Sequence, residues 1–84
     1  MKITEIVNQI LACQHLVEFE YDGYYGNAEA FHNADGYHIT MYYEGNSDIN
    51  EILVLTPQEL MHTPFFNGKS LVEIADRIEN VDIV

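Results

Sequence analysis

The apolar residues of this 84-residue chain change their spacing twice, and that change decides what the chain can fold into. Near the start, Ile3, Ile6, Val7, Ile10 and Leu11 follow i, i+3, i+4, i+7, i+8, which lines one side of a helix. Glu5, Asn8 and Gln9 occupy the other side. From about residue 16 the spacing drops to two, the period of a pleated strand. Beyond residue 70 the helical spacing returns with Leu71, Ile74, Ala75 and Ile78. A sheet bracketed by helices is the architecture that accommodates both periods.

The punctuation sets the elements. A helix is predicted over 2–14 and a strand over 16–21, where Val17, Phe19 and Tyr21 face one way and Glu18 and Glu20 the other. Asp22-Gly23 and Gly26 mark a connection, and 27–33 is a weaker strand. Asp35-Gly36 is a hairpin signal before a strand over 37–43, rich in aromatic and β-branched residues. Gly45-Asn46-Ser47-Asp48 turns into a strand over 50–55. Thr56-Pro57-Gln58-Glu59 combines a capping Thr with Pro at the first helical position, which opens a short helix over 57–61. Ser70-Leu71-Val72-Glu73 is a capping box and opens a last helix that ends near Asn80. The expected fold is therefore α+β, as one domain over 1–84. It has an N-terminal helix, a four-stranded antiparallel β-meander and two C-terminal helices, one of them short. The first and last helices share one face of the sheet, which leaves the other partly open to water.

Charge is the feature that bears on function. Fourteen Asp and Glu face three Lys and Arg, a formal net charge of −11. Lys2, Lys69 and Arg77 lie toward the two ends, and ten acids stand between Lys2 and Lys69 with no base among them. Self-repulsion of this kind costs stability, so a cationic partner is one reason to keep it. Direct binding to nucleic acid is disfavoured, since neutralising phosphates takes Lys and Arg. The single cysteine, Cys13, excludes an internal disulfide and fits a reducing compartment. The opening MKITEIVNQIL is too polar for a secretory signal, and the cytoplasm is the expected location.

No catalytic pattern emerges. Cys13 lacks a nucleophile signature, and Ser47 and Ser70 are accounted for by a turn and a helix cap. The glycines stand singly, without a phosphate-cradling run. His32 and His38 flank the Asp35-Gly36 turn, and a metal there would need a further ligand such as Asp35 or Glu29. That spacing matches no recognised ligand set, and His15 and His62 add nothing to it. The expectation is a non-enzymatic protein without metal or cofactor.

The carboxylates themselves are patterned. Glu18, Glu20 and, if the strand extends, Asp22 lie on one side of a strand, roughly 6.5 to 7 Å apart. Glu29 falls on the next strand, and Glu44, Asp48 and Glu51 around the later ones. Glu73, Asp76 and Glu79 recur at i, i+3, i+6 along the last helix. Six tyrosines, Tyr24 and Tyr25 among them, exceed the needs of a small core and suit an interface. Such rows would meet Lys and Arg in a groove built for a nucleic-acid backbone.

In length, charge and the base-free stretch between Lys2 and Lys69, the chain resembles small acidic phage and prophage proteins that inhibit host DNA-binding machinery, the anti-CRISPR proteins and other DNA mimics among them. Its tail, HTPFFNGKSLVEIADRIENV, is similar to the ending of small proteins from Gram-positive bacteria and their phages. The resemblance implies a protein target, above all the positively charged nucleic-acid channel of an RNA-guided nuclease. Members of that class have unrelated folds, so no residue carries over. The alternative is a small interaction or accessory module with no mimic role, a monomer or a homodimer, whose open sheet face pairs through tyrosines.

Overall fold

The computed structural model describes residues 2–46 and 48–84, and of Asp48 and Ile49 the backbone only. Helix α1 (Ile3–Leu11) is followed by strands β1 (Val17–Tyr21), β2 (Tyr24–Asn33) and β3 (Gly36–Tyr43). A 3₁₀ turn at Glu44–Asn46 leads to β4 (Asp48–Val54), then α2 (Pro57–His62), α3 (Leu71–Ile74), a second 3₁₀ turn (Ala75–Arg77) and β5 (Ile78–Ile83). The strands form one five-stranded antiparallel sheet in the order β4-β3-β2-β1-β5. The α+β class and the meander are as the spacing predicts, and the strand count is not.

The difference lies in residues 75–83. A helix to Asn80 was expected there, but the α-helix stops at Ile74 and the chain re-enters the sheet beside β1. Leu71, Ile74 and Ile78 fit helical spacing, yet Ile78, Val81 and Ile83 are β-branched and suit a strand. Without β5 the outer peptide groups of β1 would lack partners, and pairing along 78–83 satisfies them. The pairing shifts register between Glu18 and Glu20, and Asn80 takes φ 53 within that bulge.

The hairpins are also tighter than expected. Tyr21 pairs directly with Tyr24, so Asp22-Gly23 alone forms the first turn, with φ 55 and 81. Positive φ at both positions is what a two-residue type I′ turn demands, and Asp-Gly supplies it cheaply. Strand β2 therefore starts at Tyr24 rather than at 27. Asn33 pairs with Gly36, so the second turn is Ala34-Asp35, closed by the Asp35 N–H donating to Asn33 Oδ1 at 2.9 Å. Ser47 lies outside the described residues.

The core sits on one face of the sheet. Val17, Phe19, Tyr21, Ala28, Ala30, Ile39, Met41, Tyr43 and Val54 project from the strands onto Ile6, Val7 and Ile10 of α1, Leu60 of α2, Leu71 and Ile74 of α3, and the intervening Phe65 and Phe66. The Phe66 ring meets Phe19, Tyr21 and Tyr43 edge-to-face at 5.8, 6.0 and 5.2 Å between centroids. Room for this cluster depends on Gly26, where a Cβ would fall 2.7 Å from the Phe19 ring. Tyr43 buries its hydroxyl and donates it to the Tyr21 carbonyl at 2.8 Å; burial raises its pKa. Both helix caps form as the sequence predicts. Thr56 Oγ1 accepts from the Glu59 N–H, and Ser70 and Glu73 exchange hydrogen bonds.

Candidate functional site

Because α1, α2 and α3 all cover the same face of the sheet, the opposite face is bare. Side chains alternate, so this face collects the partners of the core residues: Glu18 and Glu20 of β1, Tyr25, Asn27, Glu29 and Phe31 of β2, and His38, Thr40 and Tyr42 of β3. The cross-strand register sorts them into rows. Phe31, His38 and Leu53 lie opposite one another across β2, β3 and β4. Glu29, Thr40 and Glu51 form the next row. Then come Tyr42, Asn27, Glu18 and Asp82, and last Tyr25, Glu20 and Glu79.

The middle of the face is held by hydrogen bonds. Tyr25 Oη donates to Glu18 Oε2 at 2.5 Å, and Asn27 Nδ2 donates to Tyr25 Oη at 3.0 Å. Donation to the Glu18 carboxylate, above all, raises the Tyr25 pKa, with a smaller opposing effect from Asn27. The Tyr25 and Tyr42 rings stand 6.3 Å apart. A rigid platform of two tyrosines with an oriented carboxylate therefore crosses the centre of the sheet.

The electrostatics are one-sided. Glu18 lies opposite Asp82, and Glu20 opposite Glu79. Like charges so placed destabilise a sheet, and among the described residues none of these four carboxylates forms a salt bridge. Lys2 precedes α1, and Lys69 pairs with Phe66 on the helical side. Arg77 lies at the rim, 3.1 Å from Asp22 and 5.6 Å from the Tyr21 ring centre. That exposed pair stabilises little. It borders an open cavity of about 350 Å³ lined by Glu20, Asp22, Gly23, Asp76, Arg77 and Glu79.

The carboxylates expected at the interface thus divide. Glu18, Glu20, Glu29, Glu51 and Glu79 gather on the bare face, Glu79 from a strand rather than from a helix. Asp22 does not extend the β1 row, because the chain has already turned, and with Asp76 it lines the rim cavity. Glu73 is committed to the Ser70 cap, whose N–H and hydroxyl lower its pKa. The expected helical row of Glu73, Asp76 and Glu79 therefore does not exist, since α3 is a single turn. Glu44 is exposed in a 3₁₀ turn beyond β3, and the Asp48 side chain lies outside the described residues. Tyr25 belongs to the face; Tyr24 points the other way, edge-on to Tyr43 at 6.3 Å.

Asp82, Phe31 and Leu53 belong to the face and were not singled out from the sequence, and His38, weighed there only as a metal ligand, belongs to it as well. The alternation of Val81, Asp82 and Ile83 was the available signal for Asp82. His32 pairs with Tyr37 and His38 with Phe31, so the two histidines project from opposite faces of the sheet. Among the described residues no group of three or more His, Cys, Asp or Glu is arranged to hold a metal ion. Nor is any helix among them long and apolar enough to cross a membrane. Comparison with known proteins finds no matching family model, no matching curated protein and no matching solved structure.

Proposed function

We propose that this chain is a non-enzymatic acidic inhibitor that lays its bare sheet face on a basic nucleic-acid-binding protein. Within that class, an anti-CRISPR protein that blocks the DNA-binding channel of an RNA-guided nuclease is the role its size and charge fit best. One observation carries the reading: Glu18, Glu20, Glu29, Glu51, Glu79 and Asp82 share a face that carries no Lys or Arg among the described residues. Carboxylates opposed to carboxylates across β1 and β5 are a cost to folding that a cationic partner relieves. The side chains of the face are held by the sheet and by the Tyr25–Glu18 hydrogen bond, so little ordering remains to be done on binding.

The test is competition. A purified, guide-loaded RNA-guided nuclease is mixed with labelled target DNA and with increasing amounts of the protein. Displacement of the DNA is expected, weakening steeply as salt rises because rim charges steer the encounter. The combined change Glu18→Gln, Glu20→Gln, Glu29→Gln and Glu51→Gln should abolish displacement while the far-ultraviolet spectrum stays the same. Displacement that survives both high salt and the four substitutions sinks the proposal.

A further inference from the structure

The row that closes the bare face is not acidic. Phe31, His38 and Leu53 lie in register on three adjacent strands, and Phe31 and Leu53 are 55% and 53% exposed. Leu55 follows at 66%. A Cβ built on Gly36 would sit 3.0 Å from Leu55 Cδ2 and 3.4 Å from Leu53 Cδ1, so both leucines gather over that glycine. Single exposed apolar residues are ordinary, but a contiguous row of Phe31, His38 and Leu53 with a phenyl ring at its end is a feature of binding sites.

This corner is also pre-set. The Phe31 and His38 rings stack at 4.6 Å with 4° between their planes. His38 Nε2 is 3.0 Å from Asn33 Oδ1, the oxygen that also receives the Asp35 N–H. The phenyl ring therefore stands in a fixed orientation without being buried. An aromatic side chain held in this way loses little freedom when a partner covers it, which is the property of an interface anchor.

We infer that Phe31, braced by His38 with Leu53 on the strand beyond it, anchors the complex by entering an apolar patch framed by Lys and Arg on the basic partner, an inference that rests on the reading above. The occupant follows from charge. The adjoining row carries Glu29 and Glu51 on either side of Thr40, and Asp35 lies in the turn beyond. A second copy docking on this corner would bring Glu29 and Glu51 against their own kind. A cation-framed apolar surface meets the ring and both carboxylates at once. The carboxylate rows then supply the encounter, and the phenyl ring supplies residence.

Two synthetic peptides of equal length and charge separate the contributions, one of Arg, Gly and Ser and one of Arg and Leu. Titrations are followed by NMR and calorimetry at several salt concentrations. The Arg–Leu peptide should bind about tenfold tighter, the loss expected when a single anchor is removed. Phe31→Ser should erase that advantage and leave the Arg–Gly–Ser affinity and its salt dependence unchanged, whereas Phe31→Leu should keep most of it. An advantage that is absent, or that survives Phe31→Ser, overturns the anchor while the acidic-face reading stands. If neither peptide binds, the basic-partner reading itself fails and the anchor goes with it. Light scattering should give a monomer; a dimer that Phe31→Ser converts to monomer would assign the corner to a second copy and overturn the inference.

Discussion

The two faces of the sheet are made by the same strands and do opposite things. Phe19 and Tyr21 project into an aromatic cluster, while Glu18 and Glu20, one residue away, meet other carboxylates in water. A phenylalanine can be followed from one side to the other. Phe66 is 1% exposed and touches four rings, whereas Phe31 is 55% exposed and stacks on one. Stability is concentrated on the helical side, which leaves composition on the other side free to serve something else. The sharpest way to break this contrast is to truncate both rings. Phe66→Ala should cost about 3–5 kcal/mol, because it opens a cavity among Phe19, Tyr21 and Tyr43. For a chain of this size that is a large share of the whole, and urea denaturation should find the variant mostly unfolded. Phe31→Ala should change the unfolding free energy by less than about 0.5 kcal/mol. Equal losses would mean that the bare face is part of the core.

This contrast was legible in the sequence only where a local rule decides it. The alternation Val17, Glu18, Phe19, Glu20, Tyr21 separates the two faces of β1 without any other strand. The caps at Thr56 and Ser70 announce helices because the hydrogen bonds that make them lie within one turn. What could not be read locally is the fate of 75–83. Leu71, Ile74 and Ile78 satisfy a helix, and only the unpaired outer edge of β1, some sixty residues earlier by rough count, makes a strand the better solution. That one error removed Asp82 from the face and put Glu73 into a row that does not exist. Phe31 and Leu53 were missed for a related reason: which apolar residues stay in water depends on where the helices settle.

The second prediction sharpens the comparison by reversing its sign. On the core face every truncation should destabilise. On the bare face, removing one of two opposed charges should stabilise, since Glu20 lies opposite Glu79 and Glu18 opposite Asp82. Glu79→Gln or Asp82→Asn should raise stability by about 0.2–1 kcal/mol at low salt. The gain should shrink as salt is added, because screening relieves the same repulsion in the parent chain. Paired denaturation curves at low and high salt measure it. A loss of stability on neutralising Glu79 would show that its charge is engaged in a favourable contact, and the face would no longer be purely repulsive.

At its centre the bare face also stabilises itself. Tyr25 donates to Glu18, and that bond raises the phenol pKa above its ordinary 10.0. Tyr43 is raised as well, by burial on the other face. A group whose pKa is raised by folding contributes stability that is complete below the unfolded value and disappears as pH rises through the folded one. Both tyrosines should therefore leave the protein unaffected at neutral pH and weaken it above about pH 10. Tyr25→Phe removes the proton in question and keeps the ring beside Tyr42. It should cost about 0.5–1.5 kcal/mol near neutrality, the net worth of one hydrogen bond, and flatten the alkaline decline. Thermal melts of parent and variant across pH 8 to 11 should then converge toward the alkaline end, as the proton that Tyr25 donates to Glu18 is lost. Curves that stay parallel would mean that the Glu18 bond is not what holds the Tyr25 proton, and that the centre of the face is looser than its geometry describes.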